Sequence, residues 1–175
     1  MKSRNETRGE CRRGPNPEGV EPSSDNGMST FTQILYHIVF STKNRERVLL
    51  ADRRPELYKY IWGIIQNKDS HLYRINGVED HVHIFCSLHS SLALADFVKD
   101  IKVASSAWIK ENQVFRNFTH WQDGYGAFTV STREKEALIE YIKNQEEHHR
   151  QVSFQDELRK LLEDAEIEFD ERYLT

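Results

Sequence analysis

The chain has 175 residues, of which 38% are hydrophobic, and carries 24 basic and 28 acidic side chains for a net charge of −4. It is long enough for one domain with a real core, and with no apolar run near bilayer length and no signal-peptide pattern it is predicted to be soluble and cytoplasmic, with no membrane partner. The acidic balance argues against a nonspecific nucleic-acid binder, whose usual footprint is a basic excess.

Residues 1–27 are rich in Gly, Pro, Ser, Asn and charge and nearly devoid of large apolar side chains, and read as a disordered N-terminal extension. Met28 is a natural alternative start. The segment is either an upstream-initiated extension or a flexible arm whose Arg4, Arg8, Arg12 and Arg13 touch nucleic acid. Residues 31–42 form a predicted strand. Residues 51–68 form a predicted helix whose apolar stripe is Leu57, Ile61, Ile64 and Ile65. Residues 72–76 and 81–88 pair as a hairpin around Gly77-Val78-Glu79-Asp80. A second amphipathic helix covers 92–111. Residues 118–130 are extended, with a bend or bulge expected at Gly124 and Gly126. A helix over 132–149 and a charged helix over 155–164 follow, the latter in a C-terminal helical tail, 151–175. The order is βαββαβα.

The charge is unevenly spread. Residues 28–149 hold fifteen bases and fifteen acids, so a neutral middle can still present a basic face. Lys43, Arg45, Arg47, Arg53 and Arg54 cluster around the first strand-to-helix connection, and Lys99, Lys102 and Lys110 follow helical spacing; each set is either a nucleic-acid contact or a solvated surface. The two cysteines, Cys11 in the polar tail and Cys86 in a predicted strand, form no disulfide framework and no Cys-x-x-Cys metal pattern.

Chemistry concentrates in two places. In Asp80-His81-Val82-His83-Ile84-Phe85, strand alternation aims His81 and His83 at one face, where two imidazoles can share a metal ion; two half-buried histidines hydrogen-bonded to neighbours are the competing explanation. In the helix over 132–149, Ser131 or Thr132 can act as cap, Glu134 and Glu136 suit the positive end of the dipole, and Ala137, Leu138, Ile139 and Ile142 form the apolar side. Tyr141 and Gln145, four residues apart, share a face, so a phenol and a neutral oxygen donor point the same way. His148 falls seven residues after Tyr141 on that face. Trp121 and Tyr125 can stack on unpaired bases or pack in a core or dimer interface.

His81-Val82-His83 followed by Tyr141-Ile142-Lys143-Asn144-Gln145-Glu146-Glu147-His148-His149 resembles the single-tyrosine HUH transposases of small bacterial insertion sequences. Tyr36-His37-Ile38-Val39-Phe40, Asp96-Phe97-Val98-Lys99-Asp100-Ile101-Lys102 and Trp121-Gln122-Asp123-Gly124-Tyr125-Gly126-Ala127-Phe128 also resemble that family, from about Met28 onward. The resemblance implies an α+β fold, a ferredoxin-like (RRM-like) antiparallel sheet with helices packed on one face, as in HUH endonucleases. Residues 28–150 are then the HUH transposase domain. It further implies that His81, His83 and Gln145 bind Mg²⁺ or Mn²⁺ and that Tyr141 attacks a phosphodiester of single-stranded, hairpin-bearing DNA, giving a 5′ phosphotyrosine and a free 3′ hydroxyl. Three neutral ligands leave the ion short of anionic oxygen, which the DNA phosphate is expected to supply. A homodimer is expected because two element ends must be processed. Lys43, Arg45, Trp121, Tyr125 and His148 are the candidate nucleic-acid contacts. The alternatives are a domesticated or inactive relative that binds hairpin nucleic acid, and an HUH replication or mobilisation nuclease.

Overall fold

Four short segments with alternating inward positions organise the chain. The computed structural model describes residues 31–171. Strand β1 (Leu35–Ser41) leads through a 3-10 turn (Lys43–Arg45) to helix α1 (Arg54–Gln66), followed by β2 (His71–Gly77), β3 (His81–Ser87), α2 (Leu94–Glu111) and β4 (Gly126–Val130). Three helices complete the chain: α3 (Lys135–Lys143), α4 (Gln145–His148) and α5 (Phe154–Asp164). The strands make one sheet in the order β2-β3-β1-β4, every neighbouring pair antiparallel. This is the ferredoxin-like arrangement.

Alternation divides the side chains between two faces. Ile38 and Phe40 of β1 and Val82, Ile84 and Cys86 of β3 join Leu57, Ile61 and Ile65 of α1 and Phe97, Val98, Ile101 and Ile109 of α2 in the main core. The helices predicted for one face are α1 and α2. The other face is also covered: Leu35 and Phe85 pack with Ile142 of α3, flanked by Tyr73, Leu138 and Ile139. The sheet is thus enclosed on both sides, and the face carrying His81 and His83 lies under the C-terminal helices.

Two elements are shorter than their sequence pattern suggests. Of residues 118–130 only Gly126–Val130 form a strand, while Trp121 makes an isolated bridge to Thr42. Gly124 has φ +80°, a left-handed conformation suited to glycine, and Lys102 donates to the carbonyls of Gln122 and Gly124, fixing this loop to α2. The helix over 132–149 is broken at Asn144 (φ −95°, ψ 19°), whose side chain donates to the Glu140 carbonyl. Asn76 of β2 donates to the carbonyls of Ile142 and Lys143, which ties the end of α3 to the sheet edge.

The β2–β3 turn is tight. A Cβ on Gly77 would lie 2.2 Å from the His81 carbonyl oxygen, so only glycine fits beside the first histidine. Arg54, buried at the start of α1, donates to the Gly77 carbonyl (2.6 Å) and to Glu146 of α4 (2.7 Å). It is a buried brace, and not part of the basic surface expected from the cluster at residues 43–54. The expected N-terminal extension, 1–27, with Met28 and Cys11, lies outside the described residues. Cys86 is a buried free thiol. Among the described residues no helix is long and apolar enough to cross a membrane.

Candidate active site and metal centre

His81 and His83 are both 0% exposed and share the inward face of β3. Each imidazole is oriented through its Nδ1. His81 Nδ1 donates to Asp80 Oδ1 at 2.6 Å; although burial opposes ionisation of Asp80, this hydrogen bond holds its carboxyl below the usual range. His83 Nδ1 lies 2.9 Å from Nε2 of His37 on β1. Phe85 is the direct register partner of His37, so His83 is its diagonal neighbour across the strand pair. Burial lowers His83 to about 4, and burial with the neighbouring His83 lowers His37 to about 3, so both rings are neutral at pH 7. The Nδ1 atoms are engaged in this way, and the Nε2 atoms of His81 and His83 are buried without a hydrogen bond.

Both Nε2 atoms face Glu157 of α5. Its Oε2 lies 3.5 Å from His81 Nε2, 3.4 Å from His83 Nε2 and 3.0 Å from His149 Nε2. Its Oε1 accepts hydrogen bonds from the Tyr141 hydroxyl and from Gln145 Nε2 (3.0 Å). Burial opposes ionisation of Glu157, but its contacts, the His149 imidazole foremost, hold its carboxyl far below the usual range. His149 Nδ1 faces the Val152 carbonyl (2.8 Å), so both ring nitrogens face oxygen; burial opposes the charge, but Glu157 raises its pKa above the ordinary value.

Tyr141 is half-buried, its ring edge-on to His37 and His83 at 6.3 and 6.1 Å and 5.3 Å from the ring of His148. Burial and the adjacent Glu157 charge raise its hydroxyl above the ordinary phenol range. The single chain brings His81, His83, Tyr141 and Gln145 together around Glu157. The residues fit a cation: the ligand atoms of His81, His83, His149 and Glu157 all lie within 4.8 Å of one another, and Gln145 Oε1 is a further buried atom with no hydrogen bond.

The remaining candidates divide. His148 stands at the site, its Nε2 3.7 Å from Glu157 Oε1. Lys43 and Arg45 occupy the turn after β1, and Arg45, with Arg47, Asp80 and His149, lines a cavity of about 300 Å³ beside the histidines. Tyr125 is 41% exposed and shares a second cavity of about 530 Å³ with Arg45. Trp121 is a correction: it is 4% exposed, donates from Nε1 to Ser105 Oγ (2.9 Å) and packs edge-on against Phe40 and Phe118, so its ring fills the core and cannot stack on bases.

Three site residues escaped the sequence reading: His37, His149 and Glu157. Glu157 had a signal. Phe154, Leu158 and Leu161 mark a helical stripe, and Glu157 stands on that stripe among them, an acid on the side that packs inward. His37 likewise interrupts an otherwise apolar strand.

A ferredoxin-like sheet that sets an imidazole pair beneath a tyrosine-bearing helix is the arrangement of HUH-type proteins. The model of the family described as IS200-like transposases matches residues 30–145, about two thirds of the chain, and the chain belongs to that family. It is a transposase. The ISDra2 transposase TnpA of Deinococcus radiodurans is 26% identical over 124 residues, covering 68% of this chain and 89% of that protein. Two solved structures share the fold. A candidate transposase from Deinococcus radiodurans R1 superposes with a TM-score of 0.54 at 24% identity, covering 70% of this chain and 98% of that one. A REP-associated tyrosine transposase bound to a REP hairpin superposes with a TM-score of 0.54 at 16% identity, covering 71% of this chain and 76% of that one.

Proposed function

We propose that this transposase cuts and rejoins single-stranded DNA at hairpin-flanked insertion-sequence ends through a covalent 5′ phosphotyrosine on Tyr141. The observation that carries this reading is the convergence of the Tyr141 hydroxyl, Gln145 and the two unpaired Nε2 atoms on one carboxylate. His81, His83 and Gln145 are the residues proposed to hold Mg²⁺ or Mn²⁺, which would polarise the scissile phosphate and neutralise charge on its oxygens. Asp80 and His37 hold the two imidazoles in the tautomer that presents Nε2. The Tyr141 O–H bond breaks, its oxygen bonds to phosphorus, and the P–O3′ bond breaks to leave a 3′ hydroxyl. Strand transfer reverses these steps with a new 3′ hydroxyl, which requires no nucleotide hydrolysis.

Lys43, Arg45, Tyr125 and His148 are the proposed DNA contacts, supported by the position of Arg45 between the two cavities that flank the site. Hairpin recognition is supported by the REP-hairpin complex of the structural neighbour. Assembly as a homodimer would supply one tyrosine for each element end, and light scattering at micromolar concentration, with and without DNA, tests it.

The covalent step is tested with single-stranded hairpin oligonucleotides drawn from the DNA flanking the coding sequence. The wild-type chain is expected to form a denaturation-resistant adduct through the 5′ phosphate with Mg²⁺ or Mn²⁺, and Tyr141→Phe to bind the same oligonucleotide without forming it. An adduct in the Phe variant would make another residue the nucleophile.

A further inference from the structure

The donor set implied by the family motif is electrically neutral, yet a buried carboxylate stands among its atoms. Glu157 belongs to α5, beyond residues 30–145 that match the family. Local sequence delivers it there. Ser153 caps α5, its Oγ accepting from the Asp156 backbone N–H, and Phe154 stacks on the His81 ring at 4.2 Å. Glu157, one turn further along the same face, then reaches between the histidines.

The contacts of its Oε2 are not hydrogen bonds to the strand histidines. His81 Nε2 and His83 Nε2 are buried, make no hydrogen bond, and face a carboxylate oxygen at 3.5 and 3.4 Å. Buried polar nitrogens without a hydrogen-bond partner are costly, and a cation shared with the oxygen they face satisfies both. The spacing suits one: two donor atoms each about 2.1 Å from a common ion lie roughly 3.0–3.4 Å apart at octahedral to tetrahedral angles. The histidines are also oriented for ligation, with Nδ1 of His81 on a carboxylate and Nδ1 of His83 on a second imidazole.

We infer that Glu157 is a direct ligand of the divalent cation, through Oε2, so that the ion is held by His81, His83 and an anionic oxygen from α5. This rests on the metal-site reading above and changes its donor set. Glu157 supplies within the chain the negative oxygen otherwise expected only from DNA. Because Oε1 of the same carboxylate accepts from the Tyr141 hydroxyl, and Gln145 Nε2 donates to Oε1 as well, ion and nucleophile are joined through one side chain. His149 Nε2 lies 3.0 Å from Oε2 on its other side.

The test is Mn²⁺ titration of the metal-free full chain, without DNA, by calorimetry and by the loss of the free Mn²⁺ paramagnetic resonance signal. Glu157→Gln is expected to lower Mn²⁺ affinity roughly tenfold or more, whereas Glu163→Gln, an exposed acid on the same helix, is expected to leave it unchanged. E157Q keeps the size of the side chain and one neutral amide oxygen, so the variant is expected to fold while the anionic donor is gone and only a weaker neutral one is left. If E157Q binds Mn²⁺ as tightly as wild type, or more tightly, the inference is overturned and Glu157 only fills the site. If wild type binds no Mn²⁺, the metal-site reading itself fails. Independently of any variant, anomalous diffraction from Mn²⁺-soaked wild-type crystals is expected to place the ion against Glu157 Oε2, and an ion bound by the histidines away from that oxygen would overturn the inference.

Discussion

His37 tests the electrostatics of the site from one hydrogen bond behind a proposed ligand, His83. It is 2% exposed and neutral when folded, with its pKa lowered to about 3 by burial and by His83. Its ordinary value is 6.5. A group whose folded pKa is lowered in this way favours the unfolded state once the unfolded chain begins to bind the proton. Its stability contribution is therefore complete above the unfolded value and lost as pH falls toward the folded one. Between about pH 7.5 and about pH 5 the unfolded His37 becomes almost fully charged while the folded one does not, which removes about 2 kcal/mol of stability. Glutamine at this position still offers an oxygen to His83 Nδ1 and cannot titrate. Urea unfolding of the metal-free protein is expected to show His37→Gln losing about 2 kcal/mol less than wild type across that pH interval. His149 and Glu157 are present in both proteins, and His83 is neutral across this interval in the folded wild type. Equal losses in the two proteins would refute a neutral, buried His37.

Replacing His81 and His83 together by Gln is expected to abolish metal-dependent cleavage, measured on hairpin oligonucleotides. Gln is preferable to Ala because both imidazoles are fully buried, and double truncation would leave a cavity that unfolds part of the site. Gly77→Ala is expected to cost about 2 kcal/mol or more in denaturant unfolding, since the new methyl group meets the His81 carbonyl and the backbone must move. Trp121→Ala is expected to cost about 3–5 kcal/mol of stability, whereas Tyr125→Ala should leave stability within about 0.5 kcal/mol and weaken single-strand binding by about 1–3 kcal/mol. Reversed effects of the last two substitutions would exchange their core and surface assignments.

The parts of the site legible in the sequence were those with local spacing. His81 and His83 follow the strand period and Tyr141 and Gln145 the helix period, and both pairs meet as expected. The same periodicities located every strand and helix of the ferredoxin-like sheet, with errors at the ends. The break at Asn144 was not readable, because Asn76, which holds the neighbouring carbonyls, is sixty-six residues from Ile142. Trp121 offered an aromatic ring with two uses, and only the position of Ser105 on α2 decides for the core. Glu157 was hidden among the eight acids of residues 150–175. Net charge marked that segment as solvent-facing, and the chemistry lies in the one acid aligned with its apolar stripe.

The placement of Glu157 also bears on the order of events during synthesis. The main core closes with residues no later than Ala127, whereas the site needs α3, α4 and finally α5. Because a chain emerges from the ribosome N-terminus first, the segments of the sheet and main core are free to pack before the carboxylate that faces the histidines and Tyr141 emerges. The sheet and main core are thus separable from the completion of the site: changes confined to α5 are expected to leave the strand histidines in place and to remove only the carboxylate that faces them.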